Sequence, residues 1–419
     1  MKLSLSVIVC AALYAVANAE FIAVVSIVVV VNHLISTNFA KIAAGNFHSV
    51  LLRTDLSVAT TGINYNGQLG DGTNRDRTQF EQVVSGRVVA VAAGMCHTVV
   101  LKQDGSVWTA GCNVRGQLGD RTYHSKNKFT RVMTGGGTAV AAGMTHTMVL
   151  KEDGTVWSTG DNFYGQLGDG NRNGRTGRFA RVLYGSTDST QKQYGAVSMA
   201  AGSHHSLVLK QDGSVWATGR NNRGQLGDGT KLGRARFIYV MPSVKDIAAG
   251  AHHSLVMKQD GTVWSAGCNR YGQLGQRYLS YSTTFVKASY SIAVAAVAAG
   301  SWHSLVLSQD SSLFAVGYNN YGQLGDGTTK SWRYFKKVIS NGVVAVTGGL
   351  YHTLVAKKYG TVLAAGWNKY GQFGNGYKTS SNYFVEVAQI GYTRASNMNR
   401  NLLVPHNPIV PSASSVSSA

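Results

Sequence analysis

Proline is nearly missing from this chain, with 4 residues in 419. Charge is thin as well: Asp, Glu, Lys and Arg make up 14% of the sequence, where a soluble domain usually has about 25%. Acidic residues are the scarcer kind, 19 against 39 basic ones, for a formal net charge of +20. Only 4 cysteines occur. Each shortage excludes a class. A collagen needs a strict glycine triplet and much proline, and a coiled coil needs long runs of Ala, Glu, Lys, Leu and Arg. A disulfide scaffold needs dense, even-numbered cysteine. A disordered chain is poor in apolar residues, and here they are 44%. What is abundant is glycine, 50 residues, about 12% against a usual ~7%. A turn-rich, basic, globular β protein remains.

Residues 1–19, MKLSLSVIVCAALYAVANA, have the layout of a secretory signal. Lys2 supplies the positive start, Leu3–Val16 the apolar stretch, and Ala17-Asn18-Ala19 the small-residue cleavage site. A secreted protein is the expectation. Two alternatives stay open. The apolar run continues through Phe21–Val31, so residues 3–31 are long enough to anchor the chain in a membrane uncleaved. If the segment is no signal at all, the chain is nuclear or cytoplasmic. Cys10 leaves with a cleaved signal. Cys96, Cys112 and Cys268 then remain, an odd number that reads as small buried hydrophobes. After residue 19 there is no N-x-S/T sequon.

One motif is written seven times. Its clearest copy is residues 200–230, AAGSHHSLVLKQDGSVWATGRNNRGQLGDGT. The histidine of H-[ST] stands at His48, His97, His146, His205, His253, His303 and His352. The glycine of G-Q-[LF]-G follows 19 residues later in every copy, at Gly67, Gly116, Gly165, Gly224, Gly272, Gly322 and Gly371. A phenylalanine comes 13 or 14 residues after that, from Phe80 to Phe384. Each unit of about 50 residues reads as four short strands: F-x-x-V, the apolar step into A-A-G, H-[ST]-L-V-L-K, and V-W-x-x-G. Asp-Gly between the last two predicts a tight type I′ hairpin. Four-stranded units in this number predict an all-β, seven-bladed β-propeller over residues 38–387. The ring is expected to close with a strand borrowed from a chain end. Residues 20–37 offer Val31–Ile35 and the C-terminus offers Phe384–Val387, which is preferred. Residues 388–419 carry no repeat and read as a disordered tail.

These repeats closely resemble the regulator of chromosome condensation repeat family, whose signature is A-A-G-x-x-H-[ST]-L-V-L-K-x-D-G-x-V-W followed by G-x-N-x-x-G-Q-L-G-D-G-T. The resemblance implies the same seven-bladed fold. One departure is consistent: the family commonly has proline where this chain has the Phe of F-x-x-V. Family members serve as exchange factors for a small nuclear GTPase, ultraviolet photoreceptors, signalling modules and secreted enzyme inhibitors. The exchange factor works through a wedge in one blade. The one sizeable insertion here, near Gly185–Gly195, falls between the first two strands of a unit and does not match it. The photoreceptor needs clustered tryptophan just before the histidine. That position holds Phe47, Cys96, Thr145, His204, His252, Trp302 and Tyr351.

The repeated histidines read as strand openers bonded within the fold, because one metal ion does not need seven copies. No Walker loop, no G-x-S-x-G elbow and no paired acid and base occur. No enzymatic activity, cofactor or metal is expected. If the strands meander, the G-x-x-H and N-x-x-G loops share one face, the top, and the Asp-Gly hairpins the other. The segments running from G-Q-[LF]-G to F-x-x-V hold 20 of the 39 basic residues and 8 of the 19 acidic ones. A basic top face or rim follows, with Arg121, Arg172, Arg175, Lys231, Arg234 and Arg333 in it. The N-x-x-G loops add Arg115, Tyr164, Arg223, Tyr271, Tyr321 and Tyr370, residue types enriched at binding hot spots. Trp302 and Tyr351 join them from the position before the histidine. The expected function is non-enzymatic binding of a protein or an anionic glycan by a monomer. A membrane surface stays open as a partner, and nucleic acid ranks last for an exported chain. The alternative is an intracellular exchange factor or scaffold for a small GTPase.

Overall fold

The computed structural model describes residues 41–183, 195–289 and 292–390. Within them 28 strands form seven separate four-stranded antiparallel sheets. Each sheet is one blade, continuous in the chain: residues 41–84, 88–133, 137–183, 196–241, 244–289, 294–339 and 343–389. The fold is the predicted seven-bladed propeller. The signal read at residues 1–19, the alternative anchor at residues 3–31, Val31–Ile35 and the tail from residue 391 lie outside the described residues.

The order of strands within a blade differs from the sequence expectation. In the first blade it is Lys41–Ala44, His48–Leu52, Val58–Gly62, Arg77–Val84, from the axis outward. The F-x-x-V strand is therefore the last of its blade. It pairs with the V-x-x-x-G strand before it, not with the A-A-G strand after it. Pairing register decides this, with Val58 opposite Val84 and Gly62 opposite Arg77. The insertion near Gly185–Gly195 consequently lies between the third and fourth blades.

Ring closure differs for the same reason. Ser381–Gln389 pairs with Thr361–Gly366 in the seventh blade, and the first blade already owns an outer strand. Among the described residues, no strand is borrowed. The seventh blade meets the first through the interface used elsewhere in the ring. Its outer strand also runs past residue 387, to Gln389.

The hairpins differ in turn type. Gly105 N–H bonds the Lys102 carbonyl at 3.0 Å and Lys102 N–H bonds the Ser106 carbonyl at 2.9 Å. Gly105 has φ 72° and Asp104 is not among the positive-φ residues. This is a three-residue loop, a type I turn closed by a left-handed glycine. Asp104 Oδ1 accepts the Ser106 N–H and hydroxyl, and that hydroxyl accepts Trp108 Nε1–H at 3.0 Å. Lys102 lies over the Trp108 ring at 4.1 Å. The K-x-D-G-[ST]-V-W motif is thus a local network, repeated around Trp157, Trp216 and Trp264.

Apolar packing joins the blades. Val58, Val50 and Ala43 of the first cluster with Val88 and Val100 of the second. Phe129 of the second blade lies where a Cβ on Gly70 of the first would stand, 2.4 Å away. The phenylalanine that replaces the family's proline is therefore an interblade wedge.

Candidate functional site

A polar belt locks the seven inner interfaces. His48 Nε2 lies 2.9 Å from Thr98 Oγ1 in the next blade, and the pattern repeats from His97 to Thr147, His146 to Ser206, His205 to Ser254, His253 to Ser304 and His303 to Thr353. His352 closes it on Ser49 at 3.1 Å. Each hydroxyl donates its own proton to a glutamine carbonyl of the preceding blade, as Thr98 does to Gln68 at 2.6 Å. The hydroxyl oxygen must then accept from the imidazole, so Nε2 carries the proton. The belt histidines are fully buried. Burial lowers their pKa, to about 4 for His48 and His303 and about 3 for His97, His146, His253 and His352. They are neutral structural donors.

The glutamine of G-Q-[LF]-G has a second task. Its side-chain Oε1 accepts the backbone N–H of the residue before the first glycine: Arg115, Tyr164, Arg223, Tyr271, Tyr321 and Tyr370. The belt that holds the blades together thereby fixes the backbone of the loops that carry the candidate residues.

Outside the axial channel, whose own lining is the A-A-G backbone with Asn46, Met95, Met144, Ser203, Ala251 and Ser301, a wider ring of fourteen side chains, two from each blade, forms the mouth. One precedes the histidine and the other follows the third-strand glycine. Their backbones are joined by the same bond in every blade: Ile63 to Phe47, Cys112 to Cys96, Asp161 to Thr145, Arg220 to His204, Cys268 to His252, Tyr318 to Trp302 and Trp367 to Tyr351, all 2.7–3.0 Å. The frame is constant and the side chains on it are not.

The mouth divides into two arcs. On one, rings touch in a continuous chain from His252 to Trp302 (5.0 Å), Tyr271 (5.7 Å), Tyr318 (4.7 Å), Tyr351 (5.9 Å), Trp367 (5.7 Å) and Phe47 (5.1 Å). Tyr321 and Tyr370 pack onto it from the N-x-x-G loops. The other arc is polar. Asp161 Oδ2 accepts from Gln166 Nε2 at 2.6 Å and lies 4.0 Å from His204 Nδ1. Burial raises the Asp161 pKa, opposed by the Gln166 bond and the charge of Arg115. Burial first, then Arg220, lowers His204 to about 4. Arg220 lies over the Tyr164 ring at 4.7 Å, and Tyr164 packs on His204 at 5.0 Å.

The sequence-predicted residues separate into two groups. Trp302, Tyr351, Tyr271, Tyr321 and Tyr370 meet in the aromatic arc, and Arg115, Tyr164 and Arg223 border the polar one. The rim cations are engaged between and within blades. Arg172 donates to the Gly233 carbonyl, Arg175 to that of Val114, and Arg333 to four carbonyls over residues 269–279. Arg234 pairs with Asp228 at 2.7 Å. Lys231 lies over Tyr281 at 3.9 Å. Arg121 takes the left-handed conformation, φ 67°, where five of the other six repeats have glycine, and its N–H bonds the Gly177 carbonyl. Sequence reasoning missed Phe47, Asp161, His204, Arg220, Tyr318 and Trp367 as mouth residues. The signal was present: the residue after V-W-x-x-G varies widely between otherwise constant neighbours. Among the described residues, no group of three His, Cys, Asp or Glu is placed to hold a metal ion.

Comparisons with known proteins agree with this architecture. Residues 171–408 match the RCC1-like domain, and the regulator of chromosome condensation (RCC1) repeat matches residues 88–117, 138–166 and 104–150. Among solved structures, yeast RCC1 (Prp20), crystallised bound to Kap60, superposes with a TM-score of 0.70 at 20% identity, covering 84% of each chain. Prp20p from Saccharomyces cerevisiae in a second structure gives 0.69 at 20% identity, over 84% of this chain and 86% of that one. Human WBSCR16 gives 0.65 at 23% identity, over 76% of this chain and 86% of that one. With a family match over more than half its length, this chain belongs to the RCC1-like domain family.

Proposed function

We propose that this chain is an exported, non-enzymatic binding propeller that holds a protein or an anionic glycan across its top mouth. The observation that carries the reading is the two-arc mouth. Half-buried rings that brace one another present flat apolar surface at little entropic cost. Arg115, Arg220 and Arg223 lie at the polar arc beside them and match carboxylate or sulfate groups. Tyr, Trp and Arg are the side chains that dominate binding energy at interfaces. The rim cations contribute a background field rather than contacts, since many are already paired within the fold. Export rests on the signal-like residues 1–19 alone.

The test is capture of partners by the mature chain. Wild type is compared with a variant carrying Arg115, Arg223, Tyr271 and Tyr321 changed to alanine, at low and high salt. Loss of partners in the variant, and weakening with salt, are expected. An unchanged partner set would sink the mouth as the site. Glu20 as the N-terminus in culture medium supports export, and an intact Met1 in a nuclear fraction ends it.

A second reading is exchange on, or scaffolding of, a small GTPase. It is favoured by the fold likeness to yeast Prp20p, whose structure is described together with its binding to Gsp1p and histones. Nucleotide release from a small GTPase, accelerated by this chain, would establish it.

A further inference from the structure

The second blade places two cysteines face to face at the mouth. Its hairpin turns at Asp104-Gly105, and the register sets His97 opposite Gly111. The next pair outward is Cys96 and Cys112, joined by Cys112 N–H to the Cys96 carbonyl at 2.7 Å. Directly opposed residues on antiparallel strands have Cα atoms about 4.5–5.5 Å apart, within the span a disulfide bridges. Both thiols are free and buried, 5% and 6% exposed. Cys268 occupies the Cys112 position of the fifth blade but faces His252, so the chain carries its own unpaired control.

We propose that Cys96 and Cys112 form a dithiol that closes to a disulfide by exchange with a low-molecular-weight disulfide, making the mouth of the second blade a redox modification site. Cys112 attacks first. Its thiolate bonds one sulfur of the small disulfide, the S–S bond of that molecule breaks, and the released thiolate takes up a proton. Cys96 then gives up its proton and attacks Cys112 Sγ. The protein S–S bond forms, and the second small thiolate leaves and is protonated. Two protein thiols are oxidised and one small disulfide is reduced to two thiols. Oxidation ties the strand entering His97 to the loop bearing Arg115.

The surroundings assign the roles. The Cys96 thiol, hydrogen-bonded to the Cys112 sulfur, lowers the Cys112 pKa. Burial opposes this, while the Val114 N–H and the Gln117 and Ser125 side chains support it. Cys96 is pushed the other way, by the same bond and by burial. The Val114, Gln117 and Ser125 donors favour the thiolate at Cys112, and Cys96 has no such donors among the described residues. A thiolate rather than a thiol is the nucleophile in exchange.

The purified full chain is treated with oxidised glutathione, quenched with an alkylating agent, and cut with trypsin without reductant. Cleavage after Arg87, Lys102 and Arg115 puts Cys96 and Cys112 on separate peptides, 88–102 and 103–115. The two peptides are expected joined, two hydrogens lighter than the pair of thiols. C96S is expected to stop as a glutathione mixed disulfide on Cys112. Alkylation of Cys112 in the folded chain is expected about tenfold faster than that of Cys268. Separately alkylated peptides from the treated wild type overturn the proposal. So does joining no faster in the folded chain than in urea, and so does C112S capturing glutathione at Cys96 as fast as C96S does at Cys112. The wild-type measurement decides by itself if a variant fails to fold.

Discussion

The histidine belt and the mouth ring are one residue apart in sequence and opposite in behaviour. His97 and its six counterparts are buried, neutral and bonded in one way. Cys96 and its counterparts are seven positions with six different side chains. Both layers hang on the same backbone. The difference shows a division of labour: the belt fixes the frame, so the layer above it can change without cost to the ring.

The largest break in that contrast is acid. Burial depresses the pKa of every belt histidine from an ordinary 6.5, to about 4 for His48 and His303 and about 3 for His97, His146, His253 and His352. Below about pH 6.5 the unfolded chain therefore binds protons that the folded chain refuses. Stability is complete above that pH and falls as the pH drops toward 4, by about 1.4 kcal/mol per pH unit for each fully titrating histidine. Circular dichroism against pH is expected to show a steep, cooperative loss in that window. A flat profile from pH 7 to 4 would contradict the neutral belt.

Next comes the glycine beneath the belt. A Cβ on Gly94 would stand 2.2 Å from His97 Cε1 and 2.4 Å from the Gly143 carbonyl. Gly94→Ala is expected to cost at least about 3 kcal/mol. Gly261→Ala, at a hairpin with φ +78° and nothing within 4 Å, is expected to cost only about 1–2 kcal/mol of backbone strain. Urea titration of both separates packing from strain. Thr98→Val leaves the His48 Nε2–H and the Gln68 carbonyl without a partner, and about 1–3 kcal/mol is expected. The smallest effect belongs to the mouth. Arg223→Ala is expected to change unfolding free energy by no more than about 0.5 kcal/mol. A larger loss would make Arg223 part of the frame.

The blade count, the strands and the face bearing the loops were legible because spacing repeats with almost no drift. The phase of a blade was not. Around a closed repeat, F-x-x-V is both the strand before one A-A-G and the strand after one V-W, and the short connection favours the wrong choice. Only the pairing of Val84 with Val58 breaks the tie. The aromatic arc was half legible. Tyr271, Tyr321 and Tyr370 stand out in a loop motif, but Tyr318 and Trp367 become their neighbours only when seven blades curve round one axis. The cysteine pair was hidden differently. Comparing Cys112 with Cys268 looks along the repeats. Cys96 and Cys112 lie equally far from Asp104, and only a reading across the hairpin brings them together.

Six of the seven junctions carry the same short bridge among the described residues, such as Asp71 with Lys128, and the junction of the last blade with the first has it in Asn375 with Gln79. The junction without one joins the fifth and sixth blades, where Gln276-Arg277 replaces Asp-Gly and the Arg333 fork reaches across instead. A closed band of this kind yields at its weakest join, wherever its thread happens to start. The outer edge of the propeller is therefore expected to part first between the fifth and sixth blades, where the Arg333 guanidinium stands in for the bridge beside the His253–Ser304 bond and the shared apolar packing, while the place where first and last blades meet is an ordinary joint.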